Sequence, residues 1–250
     1  MAHFHLADDL DAADLAVGRV VSLGPQESRH AVTVSRVRAG EGLLVGDGRG
    51  TIASCTVTAA DPQRLELRVE SVEAHPAPSP RVVLVQALAK GDRDELAVQA
   101  ATELGVDAVI PWQAQRSVSR WEGAKVAKGR ERWRAIVREA VKQSIRPHVP
   151  EVEALASTKD LVRLAATARV LVLDPTAEAR LSRLDLAAPA DGPATDVLLV
   201  VGPEGGISPA EVEALRAAGA VPVALGSGIL RTSTAGPAAL ALVNAALGRW

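Results

Sequence analysis

Two hydrophobic patterns divide this chain. Up to about residue 75, apolar and polar positions alternate in short runs. Residues 65–72 read Leu-Glu-Leu-Arg-Val-Glu-Ser-Val, the period of a half-buried strand. Two β-rich runs, 42–46 and 51–58, flank Gly-Asp-Gly-Arg-Gly at 46–50, which predicts a hairpin around an Asp-Gly turn. Residues 30–38 read as a short helix or turn between strands. A small β-barrel is the natural closure for this set.

Beyond residue 80 the apolar runs become continuous, at 82–87, 106–111, 170–173, 197–201 and 221–225. Helical stretches separate them. Asp92 is placed to cap a helix ending at Gly105, and a long helix over 129–146 stops at Pro147. Ser208, Pro209 and Glu211 form a capping box whose helix closes at Gly219, and a last helix covers 234–247. Continuous apolar strands alternating with helices predict a parallel α/β sheet. His-Pro-Ala-Pro-Ser-Pro at 75–80 cannot continue a helix or pair inside a sheet. The expected organisation is a barrel domain over 1–75, a linker at 76–80 and an α/β domain over 81–250.

Composition narrows the chemistry. Four Trp, one Phe and no Tyr in 250 residues leave Ala, Val and Leu to build the core. Cys55 stands alone, which excludes a disulfide framework and a cysteine metal site. His3 and His5 share one face of a strand with no Cys or third His near, so no metal is expected, and His30 reads as structural. No apolar run reaches a membrane span and the first residues are acidic, so the expectation is a soluble cytoplasmic protein with no membrane partner.

Open α/β sheets bind ligands at the carboxyl ends of strands. Gly-rich loops follow two adjacent runs, Gly-Pro-Glu-Gly-Gly at 202–206 and Gly-Ser-Gly-Ile-Leu-Arg-Thr-Ser-Thr-Ala at 226–235. One such loop is usually only a turn, but two in neighbouring strands favour a site. Glu204 would repel a phosphate, and both loops lack the dinucleotide fingerprint. A neutral or cationic ligand carrying an adenine fits better. Arg231 is the single charge in the second loop, and its apolar frame suggests partial enclosure beside an anionic partner.

Charge is unevenly spread. Residues 112–148 hold ten Lys/Arg and three Glu, a net of +7 in a chain of net −2. Arg134, Arg138, Lys142 and Arg146 recur every four residues and form one stripe, opposite Trp133, Ile136, Val137, Ala140 and Val141. A charge run is usually a solvated face. Segregation this strong in an acidic protein favours a polyanion surface, RNA or DNA, with Trp112 and Trp121 in the same segment.

These motifs occur in a specific order. Lys90-Gly-Asp-Arg93 leads to Ala-Ala-Thr-Glu-Leu-Gly ending at residue 105. Then come Arg116-Ser-Val, Arg132-Trp133, Gln143-Ser144, the 202–206 loop and Ile229-Leu-Arg-Thr. His30, Arg36, Gly40 and Asp47-Gly-Arg-Gly stand in the first part. Along nearly its whole length the chain resembles the RsmE family, small-subunit ribosomal RNA (uracil-N3) methyltransferases of the SPOUT superfamily. The resemblance implies a PUA-like barrel, an α/β domain tied in a C-terminal trefoil knot, S-adenosylmethionine as methyl donor, and a homodimer acting on small-subunit ribosomal RNA or the assembled subunit. It implies a cofactor site in three loops, at Leu173, Gly202, Glu204, Gly205, Leu225, Gly226, Ile229, Leu230, Thr232, Thr234 and Ala235. Arg231 is the catalytic candidate, to offset the charge on uracil when N3 loses its proton. Lys90, Arg93, Arg116, Arg120, Arg36 and the four-residue stripe are the RNA-binding candidates. Two departures stand out: Leu-Arg-Thr-Ser-Thr at 230–234 lacks a glutamate frequent in the family, and Lys142 replaces another. A ribose 2′-O-methyltransferase of the same superfamily and a non-catalytic ribosome-assembly factor remain the alternatives.

Overall fold

Alternating residues build the first sheet as the pattern requires. In a computed structural model, which describes residues 3–7, 9–186 and 194–250, β1 (Phe4–Leu6), β2 (Val20–Ser22), β3 (Gly42–Gly46), β4 (Thr51–Ala60) and β5 (Leu65–Ala74) form a curled five-stranded sheet in the order β1-β3-β4-β5-β2. A helical turn, α1 (Pro25–Arg29), runs on into a π-helical turn at His30–Val34 between β2 and β3. Leu43, Val45, Ala53, Val57, Leu65, Leu67 and Val69 are buried together as the core of this sheet. The β3–β4 hairpin closes on Asp47, whose Oδ1 accepts the N–H groups of Arg49 at 2.7 Å and Thr51 at 2.9 Å. Gly50 adopts φ +116, and a Cβ there would lie 2.5 Å from the His75 carbonyl.

The second sheet is parallel throughout. Its elements are β6 (Val82–Ala87), α2 (Arg93–Glu103), β7 (Ala108–Trp112), α3 (Ala124–Ser144), β8 (Glu151–Val152), α4 (Thr158–Leu164), β9 (Arg169–Leu173), β10 (Val197–Val201), α5 (Pro209–Ala217), β11 (Val221–Val223) and α6 (Thr232–Ala246). The order is β11-β9-β10-β6-β7-β8. The central strands β6 and β10 are buried at every position, which is why their sequences are continuous rather than alternating. The capping box forms at Ser208 and Glu211. Asp92 occupies the N-cap of α2 but makes no capping bond. The buried Asp94 takes the local N–H groups instead, from Ala89 at 3.2 Å and Glu95 at 2.9 Å.

The chain divides into two compact units, Met1–Ala77 with Val141–Val149, and Pro78–Ala140 with Pro150–Trp250. A single cut at the prolines does not anticipate the segment 141–149. It joins the first unit because Val149 N–H donates to the Gly48 carbonyl at 2.9 Å and Gly50 N–H to the Pro147 carbonyl at 3.0 Å. The long helix also begins earlier than expected, at Ala124, and ends at Ser144 before Ile145 turns to φ +54.

Candidate functional site

The carboxyl ends of β9, β10 and β11 enclose a cavity of about 510 Å³, within the range of small-molecule sites. Leu173, Asp174 and Pro175 contribute from the turn after β9, residues 201–204, 206 and 207 from the turn after β10, and Leu225, Gly226 and 228–231 from the loop before α6, with Thr232 from the start of that helix. Of the residues singled out by sequence, Leu173, Gly202, Glu204, Leu225, Gly226, Ile229, Leu230, Arg231, Thr232 and Ala235 line it. Gly205 and Thr234 do not. The Gly205 carbonyl accepts from Arg116 Nη1 at 3.1 Å, and a Cβ at Gly205 would sit 3.3 Å from the Arg116 Cβ. Thr234 is exposed in the first turn of α6. Asp174 and Pro175 lie in the turn after Leu173, one of the three loops the resemblance implies, and they line the cavity beside Leu173.

The loop after β10 must be glycine at its first position. A Cβ at Gly202 would lie 2.6 Å from Ile207 Cγ1. At the same loop Glu204 Oε1 accepts from Arg93 Nη1 at 2.7 Å and from the Lys90 N–H at 3.0 Å. Burial, the largest single influence, disfavours ionisation of Glu204. Hydrogen bonds from its own N–H, Arg93 and Lys90 outweigh that and hold its carboxyl below the ordinary value. Arg93 therefore belongs to the cavity, which it also lines. The loop before α6 is braced from outside by Arg180 Nη1, which donates to the Gly226 carbonyl at 2.6 Å.

Arg231 stands at the N-cap of α6 and is exposed. The expected dry frame is absent: Ile229 is 85% and Leu230 42% exposed. The loop leaves a strand of only three residues, and Ile229 and Leu230 line an open cavity wall rather than a packed core. Among the described residues Arg231 has no ion pair, so its charge is available at the cavity mouth.

The basic segment sorts differently from its periodicity. Lys142 is not on an open face. Its side chain is 11% exposed and its Nζ lies 3.3 Å from Glu27 Oε1, on a carboxylate that is itself 10% exposed. Arg146 lies past the end of α3, so the stripe is not one helix face. Arg134 is exposed beside Glu131 at 3.5 Å, and Arg138 is half-buried. Arg116, Arg120, Lys125 and Lys128 are exposed, and among the described residues Arg120, Lys125 and Lys128 have no ion pair. In the first unit Arg36 is exposed at φ +57. The tryptophans belong to packing: Trp112 and Trp133 are buried, and Trp121 meets Trp133 edge-on at 5.3 Å.

A carboxylate joins the N-terminal histidines, where spacing of Cys and His alone showed no cluster. His5, Glu27 and His30 offer ligand atoms within 4.8 Å of one another. Glu27 already accepts from Lys142, and its Oε2 lies 3.2 Å from His5 Nδ1. The ammonium is the cation of this cluster.

Comparison with known proteins bears on the whole chain. The family described as RNA methyltransferase domain matches residues 75–244, and the RNA methyltransferase PUA domain matches residues 23–70. The Ribosomal RNA small subunit methyltransferase E of Mycobacterium bovis is 47% identical over 238 residues, 93% of this chain and 89% of that protein. The Bacillus subtilis protein of the same name is 33% identical, covering 89% of each chain. A crystal structure of Ribosomal RNA small subunit methyltransferase E from Neisseria gonorrhoeae bound to S-adenosyl methionine matches with TM-score 0.86 and 28% identity, over 99% of this chain and 98% of that one. With relatives this similar over nearly its full length, the chain belongs to the ribosomal RNA small subunit methyltransferase E family.

Proposed function

We propose that this chain transfers a methyl group from S-adenosylmethionine to N3 of a uridine in small-subunit ribosomal RNA. The observation that carries the reading is the cavity between two glycine-bearing loops, whose one loop carboxylate is already engaged by Arg93. The lining balances two guanidiniums, Arg93 and Arg231, against two carboxylates, Asp174 and Glu204, so no net positive charge selects a phosphate there. An adenosyl sulfonium suits the mixed lining of Leu173, Val201, Leu225 and backbone. Glycine at 202 lets the loop fold tightly on Ile207, which also lines the cavity. The relative crystallised with S-adenosyl methionine supports the same assignment.

When bound, the cofactor supplies the methyl group. The chain's residues do the rest. Leu173, Gly202, Leu225 and Thr232, which line the cavity, would hold the adenosyl portion and exclude water from it. N3 gives up its proton to solvent water at the open mouth, and Arg231 there offsets the negative charge that uracil acquires. Because N3 lies on the pairing edge, the base must leave its stack to reach the mouth. Arg116, Arg120, Lys125, Lys128 and Arg134 provide the exposed positive surface for RNA phosphates. The first unit, with Arg36, contributes further RNA contacts. A second copy of the chain covers the apolar surface at Ile229 and Leu230, making a homodimer. The deciding test is methylation of small-subunit RNA and of assembled subunits, followed by nucleoside mapping by mass spectrometry. N3-methyluridine is expected. A 2′-O-methyl nucleoside, or cofactor binding without any product, would overturn the proposal.

A further inference from the structure

β6 is hydrogen-bonded on both sides, to β10 and β7, and is apolar except for Gln86. Gln86 is 0% exposed. A primary amide at such a position is costly unless its groups find partners. Its Nε2 donates to Thr232 Oγ1 at 2.9 Å and to the Ala87 carbonyl at 3.1 Å. The second partner settles which end of the amide is which: turned over, the amide would set its oxygen against a carbonyl oxygen. Thr232 therefore receives a hydrogen from Gln86, and its own hydroxyl hydrogen goes to the Gly202 carbonyl at 2.8 Å.

The result is a one-way chain of donors, from β6 through the first residue of α6 to the residue that follows β10. Thr232 is buried, and both Thr232 and Gly202 line the cavity. Gly202 also has no room for a side chain, because the loop folds back closely on Ile207. Gln86 does not line the cavity, and its Oε1 is buried with no partner among the described residues. An orphaned acceptor in a strand core calls for a compensating role. Packing alone would favour Leu or Met at this position.

We infer that Gln86 is a positioning residue for the cofactor cavity: its amide orients the Thr232 hydroxyl, which pins the Gly202 carbonyl and sets the loop after β10 against the start of α6. This inference rests on the reading of the cavity as the S-adenosylmethionine site. With Leu at position 86 the Thr232 hydroxyl loses its donor and is free to rotate. With Val at position 232 both links are lost.

The test is a double-mutant cycle of Gln86→Leu and Thr232→Val. Two readouts are needed, S-adenosylhomocysteine affinity by calorimetry and thermal unfolding without ligand. Each single variant should bind about tenfold more weakly, the scale of one lost neutral hydrogen bond. The double variant should bind no more weakly than either single one. Thr232→Val already leaves the Gly202 carbonyl without its donor, so adding Gln86→Leu, which removes the amide that Thr232 no longer accepts from, should lower the unfolding temperature no further while affinity stays low. Thr232→Ser, which keeps the hydroxyl, should bind like the wild type. Affinity that recovers together with stability would make Gln86 a packing residue and overturn the inference, as would single variants that bind normally. A wild-type chain that fails to bind S-adenosylhomocysteine would instead overturn the cavity assignment, and this inference with it.

Discussion

Arg93 and Glu204 lie 111 residues apart in sequence and meet at 2.7 Å, Nη1 to Oε1. The Lys90 N–H shares the same oxygen at 3.0 Å. One carboxylate oxygen thus ties the turn after β6 to the loop after β10. The pair is partly open, with side chains 44% and 27% exposed, so its contribution to global stability is small. Its effect falls on the loop. Glu204→Ala should weaken S-adenosylhomocysteine binding by about tenfold, the loss of one charge-assisted bond, with little change in melting temperature. Glu204→Gln keeps an acceptor and should fall between. Titration calorimetry beside thermal unfolding reads both. A large drop in melting temperature with unchanged affinity would mean the pair serves the fold alone.

Lys142 and Glu27 make the opposite case. Both side chains are nearly buried, at 11% and 10% exposure. Burial, the largest influence, works against ionisation of Glu27. The hydrogen bond with His5 and the charge of Lys142 outweigh it, bringing its pKa from 4.5 to about 2. The folded-state value is depressed, so this pairing stabilises the fold above about pH 4.5 and is lost as pH falls toward 2. Lys142→Met leaves a buried carboxylate short of its cation and should cost about 3 kcal/mol at neutral pH. Urea unfolding from pH 7 to pH 3 should show the deficit of the variant shrinking as Glu27 protonates. A constant deficit would remove Glu27 from the explanation.

Asp94 is shifted the other way. Burial pushes its pKa from 3.8 up to about 6, against hydrogen bonds from the Ala89 and Glu95 N–H groups that favour the ion. The folded state therefore holds the proton more tightly than the unfolded chain. The associated stability is fully present below about pH 3.8 and is lost as pH rises through 6. Two pKa units correspond to about 3 kcal/mol. The unfolding free-energy difference between wild type and Asp94→Asn should shift in favour of the variant by up to that amount between pH 4 and pH 7. A difference that stays flat over this interval would show that Asp94 ionises without cost.

What was legible in the sequence was local. Ser208 and Glu211 are three residues apart, and their capping box formed as read. The glycine loops were legible because strand ends and glycines adjoin in the chain. The partners that decide the site are remote. Gln86 and Thr232 are 146 residues apart, and nothing near either one announces the other. Glu27 and Lys142 are 115 apart, and a four-residue period placed Lys142 on a helix face without saying what that face meets. Ile229 and Leu230 read as a dry frame because apolar residues usually turn inward. A loop after a three-residue strand has no regular geometry to enforce that.

The RNA surface can be tested against that correction. Each phosphate contact on single-stranded RNA contributes about −0.7 to the slope of log affinity against log salt. Arg120→Ala with Lys128→Ala should therefore make the slope shallower by about 1.4. Lys142→Met should leave the slope unchanged once unfolded protein is allowed for, because its ammonium is held by Glu27. Filter binding to small-subunit RNA across a salt series reads both. A slope that responds to Lys142 and not to Arg120 and Lys128 would restore the original stripe.

Arg231 carries the chemical prediction. It lines the cavity, stands at the start of α6 and has no ion pair among the described residues. Its exposure means that the protein alone does not supply a low-dielectric setting. The RNA substrate must complete it, so the guanidinium gains its full effect only when the target base covers it. Cofactor affinity should then be nearly indifferent to this side chain. Arg231→Ala should keep S-adenosylhomocysteine binding within about twofold while slowing single-turnover methylation by about 10²–10³. Arg231→Lys should recover little of the rate, since a point charge does not replace a planar fork of donors on a uracil edge. Quench-flow methylation with saturating cofactor separates the two effects. A wild-type rate in Arg231→Ala would assign the anion to backbone amides or to the second copy of the chain. A proportional loss of affinity and rate would make Arg231 a cofactor-binding group.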